Sequence, residues 1–272
     1  MTADDPALGR PAAFALMAAA VAALLGMPAL AQPAGETEPM HVIRTEPGDT
    51  LIGLGRRLLR DPSRWPELAR VNRLRDPDLI ATGAELRIPL RLMHTDPVDA
   101  TVVGVVGEAR SAGAALAPGG APLPEGTEIR TGADGHVTLR LVDGTLLRLR
   151  PGSQLRLEES RRVRDTTSVR TGVKLDRGRV EVDAAPAPRG LPGFRIGTPQ
   201  GVLGVRGTEF RVAAQDDGTR GEVLGGVVAV DGRAGTPGQR VGAGFGTVVD
   251  PSGIVAPPVP LPAAPDTTGV LT

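Results

Sequence analysis

The chain has 272 residues, long enough for two compact modules plus connecting segments. Its 31 basic and 31 acidic residues balance and no run of like charge appears, which excludes the electrostatic footprint of a nucleic-acid binder. Cysteine is absent, excluding disulfides, thiolate metal sites, Cys nucleophiles and lipid attachment at an N-terminal Cys, and aromatics are limited to four Phe and one Trp, so any core must be aliphatic.

Residues 11 to 35 carry no charge, and the apolar stretch Ala12 to Met27 ends just before Ala29-Leu30-Ala31. An apolar run followed by small residues at this spacing is the pattern of a secretory signal peptide over residues 1–31, with cleavage expected after Ala31. Asp4 and Asp5 outnumber Arg10 upstream, where net positive charge is usual. The alternative is an uncleaved membrane anchor over residues 11–28. Either reading puts the remainder outside the cytoplasm, in the periplasm or cell envelope, with a membrane as partner only if the segment is retained.

After a linker at residues 32–40, the pattern becomes strand, helix, helix, strand over residues 41–90. His41-Val42-Ile43-Arg44 is β-prone, and Glu46-Pro47-Gly48-Asp49 makes a turn. Asp49 or Thr50 caps a helix whose Leu51, Leu54, Leu58 and Leu59 fall on one face. Asp61-Pro62-Ser63 starts a second helix with Trp65, Leu68, Ala69 and Asn72 near one face, Pro66 being tolerable in the first turn. Asp76-Pro77-Asp78 turns the chain again, and Leu86-Arg87-Ile88-Pro89 is an alternating strand stopped by proline. Gly55 inside the first helix costs up to ~1 kcal/mol relative to Ala.

These blocks, from Pro47-Gly48-Asp49-Thr50-Leu51 through Asp61-Pro62-Ser63-Arg64-Trp65 and Asn72 to Asp76-Pro77-Asp78-Leu79-Ile80 and Leu86-Arg87-Ile88-Pro89, resemble a LysM domain over its full length. The resemblance implies binding to N-acetylglucosamine-containing glycan, with peptidoglycan as partner, in a groove of Gly48, Asp49, Thr50 and Leu51 facing Asp78, Leu79 and Ile80. Asn72 is a further candidate, with loop fixing as its other reading. His41 and Ile52 stand where the family often has aromatics. A single such groove reads as a tether for whatever follows.

A linker is expected at residues 91–100. From residue 101 to 232 the apolar residues recur at period two with turns every 8 to 10 residues, the mark of an all-β roll, sandwich or short solenoid. Strands are expected around Val102–Val106, Val137–Leu141, Leu147–Leu149, Leu155–Leu157, Val173–Leu175, Arg179–Val182, Gly193–Ile196, Glu209–Val212 and Val227–Val230. Arg140, Arg148, Arg150 and Arg156 fall on the outward face, readable either as a charge-balanced solvated surface or as an anion-binding ladder.

Asp143-Gly144-Thr145 and the block Gly197-Thr198-Pro199-Gln200-Gly201 through Val205-Arg206-Gly207-Thr208-Glu209-Phe210 make residues 107 to 232 resemble the FecR domain, best known from periplasmic portions of iron-uptake regulators. Thr198, Pro199, Val205, Arg206, Gly207, Thr208, Glu209 and Phe210 are its structural motif, in which Arg206 pairs with Glu209 or with buried carbonyls. The implied partner is another envelope protein. About ten residues precede the apolar N-terminal stretch, less than the cytoplasmic segment of a trans-envelope regulator. Residues 233–250 extend the β domain, and residues 251–272, with six prolines, read as a disordered tail.

For chemistry, His41, His94 and His136 are widely spaced and form no zinc motif. The absence of Cys removes thiol-dependent wall enzymes, and the acidic residues lie mostly beside turns, unsuited to a glycosidase carboxylate pair. The expectation is thus a non-enzymatic, cofactor-free α+β multidomain protein: a small βααβ module followed by an all-β domain. A trans-envelope regulator of FecR type and a cell-wall hydrolase are the alternatives.

Overall fold

A computed structural model describes residues 38–77, 79–186, 193–205, 207–233 and 238–262. Strand β1 (Met40–Arg44) pairs antiparallel with β2 (Glu85–Pro89), with His41 opposite Ile88 and Ile43 opposite Leu86. Between them lie helix α1 (Leu51–Leu58) and helix α2 (Trp65–Val71), the latter entered through a single 3-10 turn at Pro62–Arg64. The helical period of the sequence is realised: Leu51, Leu54, Leu58 and Leu68 are buried with Leu86 and Ile88 of β2. Leu59, also buried, lies just beyond α1 in an extended conformation and bridges to Met93.

Gly55 has a packing reason for being glycine. A Cβ there would lie 2.9 Å from Trp65 Cβ and 3.2 Å from the Pro62 carbonyl oxygen, so its small size is what lets α1 and α2 approach.

Residues 91–100, expected as a linker, are built into the structure instead. A 3-10 turn at Leu90–Leu92 puts Leu90, Leu92 and Met93 into the core of the βααβ unit, and β3 (Thr95–Pro97) joins a sheet. Apolar side chains at 90, 92 and 93 have more to gain from that core than from water, which overrides the loop character of the flanking polar residues.

The remaining strands follow in order: β4 (Thr101–Val106), β5 (Ala109–Ser111), β6 (Ala114–Ala115), β7 (Glu128–Thr131), β8 (His136–Arg140) and β9 (Leu146–Leu149). Next come the two longest, β10 (Gln154–Val163) and β11 (Val169–Asp183), then β12 (Phe194–Gly197), β13 (Val202–Val205), β14 (Glu209–Gln215) and β15 (Gly218–Gly225). The last are β16 (Val227–Asp231), β17 (Gln239–Gly242), β18 (Phe245–Val249) and β19 (Val259–Pro260). Together β3 to β19 make one seventeen-stranded sheet folded over on itself.

One half runs β6-β5-β7-β10-β11-β12-β13-β16-β17. The other runs β4-β8-β9-β11-β14-β15-β18-β19. Strand β11 belongs to both, passing from one to the other at Gly178, whose φ of +94° and 2.4 Å clearance from Ser153 Oγ for any added Cβ mark the bend. After it, hairpins are laid alternately on the two halves: β12–β13 on the first, β14–β15 on the second, then β16–β17 and β18–β19. Their inner faces enclose one largely aliphatic core that includes Ile129, Leu139, Leu147, Leu155, Leu175, Ile196, Val212 and Val228, with Phe194 and Phe210 its aromatic members.

The expected β segments all fall on strands, but Val173–Leu175 and Arg179–Val182 are two stretches of the single strand β11. Strand β13 lies between the strands expected at Gly193–Ile196 and Glu209–Val212, where none was expected, and β15, with three glycines in eight residues, lacks the alternation that would announce it. The expected disordered tail is also corrected over its described part: Val255 is buried, bridges to Val249, and β19 pairs with β18. Residues 263–272 lie outside the described residues, as do 1–37, which contain the expected signal segment.

Replacing Gly55 with Ala is expected to lower the unfolding midpoint. Overpacking against Trp65 and Pro62 costs ~1–3 kcal/mol, more than the up to ~1 kcal/mol of helix propensity gained. A rise in thermal midpoint for Gly55→Ala would show that the helices can move apart freely.

Candidate functional site

The candidate glycan groove lies where the turn after β1 meets the loop before β2. Thr45 ties these two segments together: its amide donates to Ala84 O (3.0 Å), its hydroxyl to Ala81 O (2.7 Å), and its carbonyl accepts from Gly83 N (2.8 Å). At 4% exposure Thr45 is buried at the root of the groove, and no motif in the sequence singles it out.

Most expected groove residues are engaged in local structure. Asp49 Oδ2 accepts from Glu46 N at 2.8 Å while Asp49 N donates to Glu46 O at 3.1 Å, closing the turn reciprocally; its other oxygen lies 3.9 Å from Arg57 Nη1. Thr50 is the α1 cap, its Oγ1 accepting from Gly53 N at 3.0 Å. Gly48 supplies positive φ in open space.

Leu51 is 1% exposed and faces the core, so it cannot cover a sugar face as expected; the exposed neighbour is Ile52. Opposite, Leu79 is 74% exposed and Ile80 packs half-buried on the core, while Asp78 lies outside the described residues. Asn72 spends its amide on backbone: Nδ2 reaches Leu68 O and Arg87 O (both 2.8 Å), and Oδ1 accepts from Arg87 N (2.7 Å). It therefore locks α2 to β2 rather than facing a ligand. What remains at least partly exposed around the groove is Gly48, Thr50, Ile52 and Leu79, with Ile80 half-buried and the Asp49 side chain only 14% exposed.

The Thr-Pro and Gly-Thr-Glu-Phe block of the β domain forms two crossings between the sheet halves. In the β12–β13 turn, Thr198 Oγ1 lies 3.1 Å from both Gly201 N and Gly201 O. Thr219 of β15 places its hydroxyl 2.8 Å from Thr198 Oγ1 and 2.7 Å from Gln200 Oε1, and Gln200 Nε2 donates to Gln215 O at 3.2 Å. These groups are buried, so their mutual satisfaction is obligatory. Pro199 O accepts from Arg233 at 3.3 Å.

At the second crossing Val205 and Phe210 enter the core and Gly207 takes a positive φ. Thr208 O accepts from Ala184 N at 3.1 Å, while the Thr208 hydroxyl donates to Val227 O at 3.2 Å. Glu209 is exposed at the start of β14, opposite Asp183. Arg206, expected to pair with it, lies outside the described residues. Thr145 of the Asp143-Gly144-Thr145 turn accepts from Ala185 N at 3.1 Å, and Thr171 donates to Asp143 at 2.6 Å. All of these contacts hold strands together, and none is aimed at an open cleft. The distant residues Thr219 and Gln215 leave no sequence signal that would have paired them with this motif.

The outward arginines pair across strands. Arg150 Nη2 lies 2.6 Å from Glu181, which Arg211 also approaches at 3.5 Å; Arg156 lies 3.3 Å from Glu128, and Glu159 is shared by Arg170 and Arg195, both at 2.8 Å. A depression of about 470 Å³ beside β5 and β7 is lined by Glu108, Arg110, Glu128 and Arg130, which are paired with each other. Among the described residues no group of three or more His, Asp or Glu converges to hold a metal, and no helix is long and apolar enough to cross a membrane.

Three carboxylates paired with arginines are held below their ordinary pKa values. Arg91 donates to Glu67, Arg164 to Asp96, and Arg161 to Glu125, the last through Nε and Nη2 at 2.8 Å each.

Residues 127–229, from the start of β7 into β16, match the family described as FecR protein, and a FecR domain accordingly spans this stretch. No curated protein matches the chain. Two crystal structures of a candidate anti-sigma factor from Parabacteroides distasonis are similar at 24% identity, with TM-scores of 0.40 and 0.41. The alignments cover 49% of this chain and 59% of those, so the chain spans less than two thirds of their length.

Because the folded-state pKa values of Glu67, Asp96 and Glu125 are lowered, the unfolded chain binds protons first as pH falls. Their contribution to stability is whole above the ordinary values of 4.5 for Glu and 3.8 for Asp and is lost as acid titrates the folded groups. The urea midpoint is expected to be flat above about pH 5 and to fall below it, less steeply in Glu125→Gln. An identical acid slope in that variant would remove Glu125 from the account.

Proposed function

We propose that this chain is a non-catalytic regulator of FecR type working in the cell envelope, its β domain serving to contact another envelope protein. The FecR match over residues 127–229 is the observation that carries this reading. The construction of the motif supports it: Thr198, Thr208, Thr219 and Phe210 are spent inside the domain, which leaves its outer surface, not a cleft, as the working part. The test is transcript profiling of a strain lacking the chain against one carrying Phe210→Asp, which unfolds the FecR domain. The same set of transcripts should change in both, and an unchanged profile sinks the regulatory reading.

A second reading concerns the N-terminal module and is favoured by its antiparallel β1–β2 pair, two short helices and Thr45-tied loops. In this reading the module is of LysM type and holds peptidoglycan through Gly48, Asp49, Leu79 and Ile80, giving the regulator a fixed place in the envelope. The purified protein is expected to co-sediment with isolated sacculi. Leu79→Asp, at an exposed position, should weaken retention on the order of tenfold, about 1.4 kcal/mol. Retention equal to that of the parent would remove Leu79 from the groove, and no co-sedimentation at all would end the glycan reading. Sequencing the N-terminus of the mature protein decides between export and anchoring: a start at Gln32 rules out a retained span.

A further inference from the structure

The described residues all fall in one compact unit, and the βααβ module does not close its core unaided. Val163, the last residue of β10, has 0% exposure and is packed with Leu58, Leu59, Leu90, Leu92 and Met93 of the module, not with the β-domain core. Backbone hydrogen bonds run through the same place. His94 N donates to Leu58 O (3.0 Å) at the end of α1, and His94 O accepts from Arg164 N (2.9 Å) at the end of β10. Beside them β3 pairs with β10, Thr95 opposite Val163 and Pro97 opposite Arg161, and Arg164 Nε lies 3.1 Å from Asp96. The Leu58 carbonyl in the last turn of α1, which lacks a partner within the helix, is thus satisfied by the segment that leads into β3.

We propose that the βααβ module and the β domain are one cooperative unit joined through the β10–β11 hairpin, so that the candidate groove is carried at a fixed position on the β domain and not on a flexible tether. The groove turn Gly48–Thr50 precedes α1 and the junction follows it, and eight residues of helix separate the two by about 12 Å. The groove therefore stands clear of the junction while being rigidly connected to it. From the junction, β11 extends for fifteen residues, bending at Gly178 on the way. It ends at Asp183, next to Ala184, whose amide holds Thr208 of the FecR motif. Unfolding the module would expose Val163 and strip β3 from β10; unfolding the hairpin would remove one wall of the module core. Neither can open without the other, whether or not the groove takes a glycan.

Trp65 is the chain's single tryptophan and packs on the module core, so its fluorescence reports the module alone. Far-ultraviolet circular dichroism is dominated by the strands of the β domain. Urea unfolding of the full chain should give coincident curves by the two probes, and Val163→Ala should lower both midpoints by the same amount. A Trp65 transition at lower urea than the dichroism transition, or a Val163→Ala shift seen by one probe only, overturns the proposal. Should Val163→Ala fail to fold, Asp96→Asn removes the surface pair instead: a smaller but equal shift of both curves supports a single unit, and a shift in Trp65 alone, or in the dichroism alone, refutes it.

Discussion

The pairing of Thr95–Pro97 with Arg161–Val163 joins the longest hairpin of the chain to its smallest module, and the other elements are arranged around that hairpin. Burying one valine fully contributes ~1.5–3 kcal/mol, a large share of what a ~50-residue module can muster from its own core. The hairpin has a second duty at its far end, because β11 serves both halves of the folded sheet and changes halves at Gly178. Removing it would deprive the module of a wall and the β domain of its common strand.

Around this frame the chain solves two polar problems in different ways. Buried hydroxyls and amides at Thr45, Thr198, Gln200, Thr208 and Thr219, and the half-buried Asn72 amide, are paired with backbone or with one another and so are committed to the fold. The outward charges form cross-strand pairs centred on Glu128, Glu159 and Glu181. Exposed pairs of this kind add little stability each, but they neutralise the arginines locally. Of the two readings of Arg140, Arg148, Arg150 and Arg156, the balanced solvated surface agrees with the partners of Arg150 and Arg156.

Legibility followed the range of the interaction. The α1 face, the Thr50 cap, the proline entry to α2 and the alternation of β8, β9 and β10 depend on neighbours within a few residues, and they were readable. The purpose of Gly55 was not, because the crowding that demands it comes from Trp65, ten positions on. The strand character of β15 was not either, since its glycines are held only by β14 and β18 on either side. At the candidate groove, Leu51 and Asn72 have the right types at the right positions, yet burial of the one and the triple bonding of the other withdraw them from the surface.

The sequence by itself determined the order of the βααβ and β-rich regions and the aliphatic character of their cores, because composition, periodicity and turn chemistry are local properties; the block from Thr198 to Phe210 was legible through its resemblance to the FecR domain. It also determined the lack of cysteine chemistry. Only the tertiary structure decided that residues 91–97 belong to both modules at once and that Val163 sits in a core whose other members lie seventy or more residues earlier in the chain. It likewise decided that Thr219 completes the turn at Thr198. Those pairings join residues whose separation along the chain carries no periodic signal, and they become favourable only when the folded sheet brings their backbones within hydrogen-bonding distance.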